Sequence, residues 1–323
     1  MESLETQLKI LEIDYKNSPN SKLKGIKKKI TEVNSKIKSC LKTRDNKAKI
    51  RELIETCQLL IVDETHIAAV ILEHISAKSI SAYYKCGLTA TPQRTDNQDL
   101  RMFGATGSVI FKISASELIQ KGYLVKPYIY GVDLDFLDKT SISYPETYKN
   151  AIVFSEQRNN LIKKLAENMH EEGRPTLILV ERIDHGNIFQ SIMNNCVFVP
   201  GGDGSDDKPI TDEELDYRKS QLNRLERNEI ILCATQWANQ GIDAPKVGCL
   251  ILAGSTASPI TVIQQVGRVL RKAEGKEDCI VFDFKMKEKS LRSHFYSRLK
   301  ALKNEPEFVI KILKYNIDKG TYV

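Results

Sequence analysis

Apolar positions follow two rhythms along this chain. Ile26, Ile30, Val33, Ile37 and Leu41 recur every three or four residues, which predicts a helix with one buried side. A second set with that spacing, Ile50, Leu53, Ile54 and Cys57, follows a polar break at Thr43–Asn46, so residues 1–57 are expected to form a helical hairpin. From Gln58 the texture changes. Short apolar runs alternate with helical stretches, the pattern of an α/β fold on a parallel sheet.

In the first alternating block, strands are expected at Leu59–Val62, Tyr84–Leu88, Ser108–Ile113 and Leu124–Tyr130, with a helix near Ile67–Ala77. Residues 131–150 have no clear period and read as a linker. In the second block, strands are expected at Thr176–Val180, Val197–Val199, Glu229–Cys233, Cys249–Leu252 and Cys279–Phe284. Helices are expected at Glu156–Glu172, Gly186–Asn194, Asp212–Arg227 and Ile260–Arg271, followed by a charged helical tail. PGGDGSDDKP at residues 200–209 can only be a loop. The expected organisation is a basic hairpin over 1–57, one domain over 58–130, a linker over 131–150 and a second domain over 151–323.

A length of 323 residues fits two domains. Hydrophobic residues make up 41% of the chain, enough for a sizeable core. No apolar run approaches the ~18–20 residues of a membrane span, and MESLETQLKI is not a signal peptide, so no membrane partner is expected. The seven cysteines are odd in number, scattered and never spaced C-x-x-C. They read as reduced thiols in a cytoplasmic setting rather than a zinc site or disulfide framework.

Charge changes the picture at one end. Residues 1–55 hold 14 Lys/Arg and 8 Asp/Glu, which accounts for the whole excess of +6. Lys22, Lys24, Lys27, Lys28, Lys29, Lys36 and Lys38 crowd one stretch. Such a density can follow a phosphate backbone, and a solvated helix face gives the same pattern.

Four motifs carry candidate chemistry. Asp63-Glu64-Thr65-His66 follows the run LLIV, and functional groups in open parallel sheets gather at the carboxyl ends of strands. Adjacent carboxylates there suit a magnesium nucleotide, although a plain surface turn would carry the same letters. Leu88-Thr89-Ala90-Thr91-Pro92 places two hydroxyls at another strand end, and read alone it is also a turn with a proline stop. Ala234 to Asp243 (ATQWANQGID) offers hydroxyl, glycine and carboxylate groups, with Trp237 read as a packing anchor. In QQVGRVLR, a helix would put Gln264, Arg268 and Arg271 on one face, suited to clamping phosphates. An amphipathic helix with exposed arginines is the plainer reading. A mid-helix Gly267 costs about 1 kcal/mol and asks for a close approach.

Taken in order and spacing, DETH, LTATP, ATQWANQGIDAP and QQVGRVLR resemble motifs II, III, V and VI of superfamily 2 DExH-type helicases and translocases. The resemblance spans about Leu59 to Phe284. GLTATPQRTD, LILVERIDHG and QQVGRVLRKAEGKEDCIVFDF bring it nearest to phage and bacterial DNA helicases related to type III restriction subunits.

The resemblance implies two RecA-like parallel-sheet domains, the first incomplete, with ATP, Mg²⁺ and nucleic acid as ligands. Asp63 would hold the Mg²⁺ through water and Glu64 would be the catalytic base. His66 would couple the ATP site to Gln264, and Thr89 and Thr91 would relay hydrolysis to domain movement. Gly241 and Asp243 would meet the nucleotide. Arg268 and Arg271 would reach the γ-phosphate across the cleft. Thr235, Arg182 and His185 would contact nucleic-acid phosphates. The partner is expected to be DNA, single-stranded or branched, with RNA left open.

One departure shapes the expectation. The family also has a phosphate loop, G-x-x-x-x-G-K-[ST], upstream of D-E-x-H, and this sequence has none. Without its backbone N–H cradle and lysine, a triphosphate loses its main anchor. The chain is therefore expected to be the C-terminal portion of an ATP-dependent DNA helicase or translocase, weak alone, with a separately encoded N-terminal fragment as a candidate partner. The competing expectation is a non-catalytic nucleic-acid-binding remnant.

Overall fold

The computed structural model describes residues 2–17, 20–65, 69–79, 81–89, 99–134, 143–201, 211–235, 244–316 and 321–322. The chain divides into two units, Met1–Phe111 and Lys112–Val323.

The first unit opens with α1 (Glu2–Asn17) packed on the long α2 (Asn20–Thr56). Ile30 and Val33 turn inward while Lys27, Lys28 and Lys29 are exposed, as the three-to-four spacing requires. The expected break at Thr43–Asn46 does not interrupt α2. Those residues include neither Gly nor Pro, so no local term is large enough to stop a helix. Next come β1 (Leu59–Val62), α3 (Ala69–Lys78), β2 (Tyr84–Gly87) and α4 (Asp99–Thr106). β1 and β2 form a two-stranded parallel sheet in which Val62 pairs with Gly87. Val62 packs with Met102, Phe103 and Ala105 of α4. Leu59 and Ile61, on the other face, are 52% and 57% exposed.

The second unit begins with α5 (Ala115–Gln120), β3 (Lys126–Leu134), α6 (Tyr144–Tyr148) and a π-helical turn at Lys149–Val153. It continues with α7 (Glu156–Glu171), β4 (Thr176–Leu179), α8 (Ile183–Ile192), β5 (Cys196–Val199), α9 (Asp212–Glu226), β6 (Ile231–Ala234) and β7 (Cys249–Leu252). Then follow α10 (Pro259–Val269), β8 (Asp278–Lys285), α11 (Lys289–Leu302), β9 (Val309–Asn316) and β10 (Thr321–Tyr322). The sheet order is β10-β9-β3-β8-β7-β4-β6-β5, with seven parallel strands and β10 as an antiparallel edge.

This sheet is covered on both faces, which is why its strands read as unbroken apolar runs. Ile178, Ile251 and Cys233 point into a core shared with Leu161 and Ile162 of α7 and Phe189 of α8. Leu177, Leu179, Leu250 and Leu232 point the other way, to Leu225 of α9 and Val262 and Val266 of α10. Gly186 lets α8 lie close, since a Cβ there would come within 2.1 Å of the Phe198 ring on β5.

Several elements differ from the sequence expectation. Of the Leu124–Tyr130 run expected to close the first domain, Lys126–Tyr130 belongs to β3, which pairs with β8 and β9 inside the second unit's sheet. Residues 131–134 of the expected linker are thus strand, and Tyr144–Tyr148 is helix. Partner choice for a strand is a long-range event that a local window cannot see. Ser108–Ile113 forms no ladder, and the tail adds β9 and β10 beyond its helix. The loop at 202–210 lies outside the described residues.

Candidate functional site

In the first unit the acidic motif sits where β1 ends. Asp63 Oδ1 accepts the Glu64 N–H at 2.8 Å, and Glu64 occupies the left-handed region at φ 50°. A glutamate is uncommon there, and strain of this kind concentrates at working sites. Thr65 is buried, and its N–H donates to the Leu88 carbonyl at 3.1 Å. Leu88 N–H in turn donates to the Val62 carbonyl at 2.8 Å. Asp63–Thr65 and Leu88 are thereby stitched together at the carboxyl ends of two parallel strands. Thr89 is half-buried beside them, whereas His66 and Thr91 lie outside the described residues.

In the second unit the carboxyl ends of β4, β6 and β7 and the start of α10 surround a small open recess. Its polar lining is Glu181, Thr235, Thr256, Thr261, Gln265 and Arg298. Thr235 Oγ1 accepts the Gly201 N–H, and Ser258 caps α10 by accepting the Thr261 N–H at 3.3 Å. Glu181 lies flat against the backbone, because a Cβ on Gly254 would come within 2.9 Å of its Cγ and Cδ. Arg298 is buried and gives two bonds to Asp283 and one to the Thr256 carbonyl. Arg158 is buried as well. It donates to the Ala253 carbonyl at 2.8 Å, lies 4.9 Å from the Phe284 ring centroid, and burial pulls its pKa down to about 10.

The QQVGRVLR segment is helical only in part. Gln264 and Arg268 lie on α10 and are half-buried. Arg271 does not share their helix, because α10 ends at Val269 with Leu270 as its cap. Arg271 instead forms an antiparallel bridge with Leu124, and Val125 N–H donates to the Leu270 carbonyl at 2.8 Å. The i+7 face predicted for it is therefore lost. No described atom comes within 4 Å of a Cβ built on Gly267, so no close approach explains that glycine.

Residues 135–273 match a family model described as "Helicase conserved C-terminal domain". This segment is similar to helicase C-terminal domains. The chain is 25% identical over 287 residues to a protein assigned as helicase 22 of Sulfolobus islandicus filamentous virus (isolate Iceland/Hveragerdi), covering 84% of this chain and 50% of that one. It is 25% identical over 240 residues to the ATP-dependent DNA helicase uvsW of Enterobacteria phage T4, covering 70% and 45%. Among solved structures, a fragment assigned as the HsdR subunit of a type I restriction enzyme from Vibrio vulnificus YJ016 superposes with a TM-score of 0.58 at 22% identity, covering 82% of this chain and 49% of that one. The chain thus spans about half the length of the relatives it matches.

The remaining sequence-predicted residues of the second unit sort by exposure. Arg182 is exposed at the start of α8, its guanidinium 5.9 Å from the Tyr148 ring centroid. His185 is a correction. It is fully buried, its Nε2 pairs with Asn159 Oδ1 at 3.0 Å, and its ring centroid lies 4.6 Å from that of Phe189. Burial, with Arg158 nearby, holds its pKa well below the ordinary histidine value. A buried neutral imidazole meets no solvent phosphate; here it ties α8 to α7. Gly241, Asp243 and Trp237 lie outside the described residues. Glu181, Gln265 and Arg298 were not singled out by sequence. Glu181 had a signal, a carboxylate directly after a strand, whereas Arg298 is brought to the recess only by the packing of α11.

Proposed function

We propose that this chain works in an ATP-driven DNA helicase or translocase, with the first unit as its acid-bearing lobe. The observation that carries the reading is the Thr65–Leu88 backbone bond, which joins the acidic turn to the threonine turn at adjacent strand ends. Coupling of hydrolysis to movement needs those two turns in register. The similarity to helicase C-terminal domains, with Arg268 half-buried and Arg271 exposed, supports the same reading.

The acidic turn fits a magnesium nucleotide. Asp63 is exposed with one oxygen committed to the Glu64 N–H, and among the described residues no three acids, histidines or cysteines form a complete metal cage. Magnesium suits such a donor set, since it keeps several waters and takes few protein carboxylates. When bound it would supply charge neutralisation at the phosphates. Asp63 would orient that ion through water, and Glu64 would accept the proton of the attacking water. Arg268 and Arg271 would offset the negative charge that builds up on the phosphoryl oxygens, a role worth ~10³–10⁵ in rate elsewhere. Gln264, Gly241 and Asp243 would hold the nucleotide, while His66, Thr89 and Thr91 would pass its state onward. Thr235 and Arg182 would meet DNA phosphates.

The reading includes a polypeptide segment, carrying the phosphate loop, that covers the first unit's sheet. Parallel sheets are normally buried on both faces, yet Leu59, Ile61 and Tyr84 are 52%, 57% and 63% exposed. A separately encoded fragment or a joined segment would each serve.

The test is ATP turnover with and without single-stranded DNA, on the 323-residue chain and on the chain supplied with a phosphate-loop segment. DNA-stimulated turnover that depends on the added segment and disappears in Glu64→Gln is expected. A Glu64→Gln protein that turns over at the unmodified rate ends the assignment. Stimulation by RNA alone would move the substrate class.

A further inference from the structure

Lys276 lies within QQVGRVLRKAEGKEDCIVFDF but has been given no role so far, and it occupies a distinctive place. Its Nζ donates to the carbonyls of Pro245 at 2.7 Å, Val269 at 2.5 Å and Arg271 at 3.3 Å. An ammonium has three donors, and each finds a carbonyl. The chain is folded back to deliver it. Lys276 N–H donates to the Ala273 carbonyl at 3.1 Å, and Gly275 sits at φ 76°, where only glycine is at ease.

Two of the three carbonyls come from the end of α10 and the turn just after it, and the third from a segment some way upstream. Val269 is the last residue of α10, where carbonyls lack intrahelical partners and a cation is favoured. Arg271 follows the helix, and Pro245 follows the ATQWANQGID segment. The backbone around Arg271 is also pinned by its bridge to Leu124 and by the Val125–Leu270 bond.

We propose that Lys276 is a positioning residue for Arg271, gathering these carbonyls so that α10 stops at Val269 and the arginine leaves the backbone from a fixed point. The proposal rests on the role given above to Arg271. Without the ammonium, three carbonyls face each other around an apolar gap. The turn at 270–271 then opens or α10 winds on, and either change moves the guanidinium by ångströms.

Burial disfavours the charged amine and lowers its pKa, against the pull of Cys279, Asp278 and Glu226, the titratable groups that face it from β8 and α9. Removing the ammonium relieves that desolvation cost but leaves three carbonyls without their donor, so the change is read at the turn itself.

The test compares Lys276→Met, which keeps the stem and loses the donors, with Lys272→Met at an exposed neighbour. Backbone amide exchange in the 323-residue chain is read first. Lys276→Met is expected to speed exchange of the Val125 and Leu270 amides by about tenfold or more while the Leu250 and Ile251 amides stay protected. Lys272→Met should change neither. Unchanged exchange at Val125 overturns the hold. ATP turnover with the phosphate-loop segment is read second. The kcat of Lys276→Met is expected to fall about tenfold or more with ATP KM and DNA affinity unchanged, and adding Arg271→Ala should cost nothing further than Arg271→Ala alone. A normal kcat beside faster exchange overturns the positioning role. Should Arg271→Ala itself run at the unmodified rate, the assigned role of Arg271 fails, and the exchange result alone then reports on Lys276.

Discussion

Arg298 grips Asp283 with two parallel bonds, Nε to Oδ2 at 3.0 Å and Nη2 to Oδ1 at 2.7 Å, and both side chains are buried. The pair joins α11 to β8, and a third bond to the Thr256 carbonyl extends it to the recess beyond β7. Removing one partner of a buried ion pair strands the other charge, at about 3–5 kcal/mol. Asp283→Asn is expected to lower unfolding stability by that order in urea titration. Replacing both residues with apolar ones of similar size should recover much of the loss. Equal stability for Asp283→Asn and the parent would remove the pair from the framework of the site.

Gly186 and Phe198 set the spacing of α8 from β5. A methyl group on residue 186 would meet the ring at 2.1–2.5 Å, with no flexible chain end to yield. Gly186→Ala is therefore expected to cost about 1–3 kcal/mol by overpacking, and Phe198→Leu in the same chain should return part of it. Denaturant midpoints of the three variants decide this.

His185 supplies a pH dependence whose sign follows from its burial. Its folded-state pKa lies well below the ordinary 6.5. Between those two values the unfolded chain binds a proton that the folded chain refuses. Stability is therefore complete above about pH 6.5 and declines as pH falls below it, by up to ~1.4 kcal/mol per pH unit. His185→Gln, which can still bond Asn159, should flatten that part of the profile. A slope unchanged in the variant assigns the effect to other groups.

Lys27, Lys28 and Lys29 are exposed on α2, where they can face a phosphate backbone. Replacing all three with glutamine should weaken DNA binding independently of sequence. The plot of log affinity against log salt should become shallower by about 2–3 units on duplex DNA. Fluorescence anisotropy across a salt series measures it, and a slope identical to the parent would leave these lysines as an ordinary solvated face.

Much of the second unit could be read directly from the chain. The runs at β4, β7 and β8 are short, apolar and followed by helices, so a doubly covered parallel sheet was the economical packing. The acidic and threonine motifs were legible because strand ends are where such sheets place chemistry. The destination of β3 was not legible, since its partners β8 and β9 lie more than a hundred residues away and local pattern carries no information about pairing. His185 was misread for a related cause. A histidine beside an arginine after a strand looks solvent-facing until the depth of α8 against α7 is known.

The sequence alone determined which segments bury apolar surface and where carboxylates, hydroxyls and guanidinium groups fall relative to strand ends, because those follow from periodicity within a single element. The tertiary structure alone decided that Arg271 leaves the helix at a bridge to Leu124, that Lys276 closes over three carbonyls, and that Arg298 reaches the recess. Leu124 and Arg271, Pro245 and Lys276, and Thr256 and Arg298 are far apart along the chain, and only the packed core brings them together.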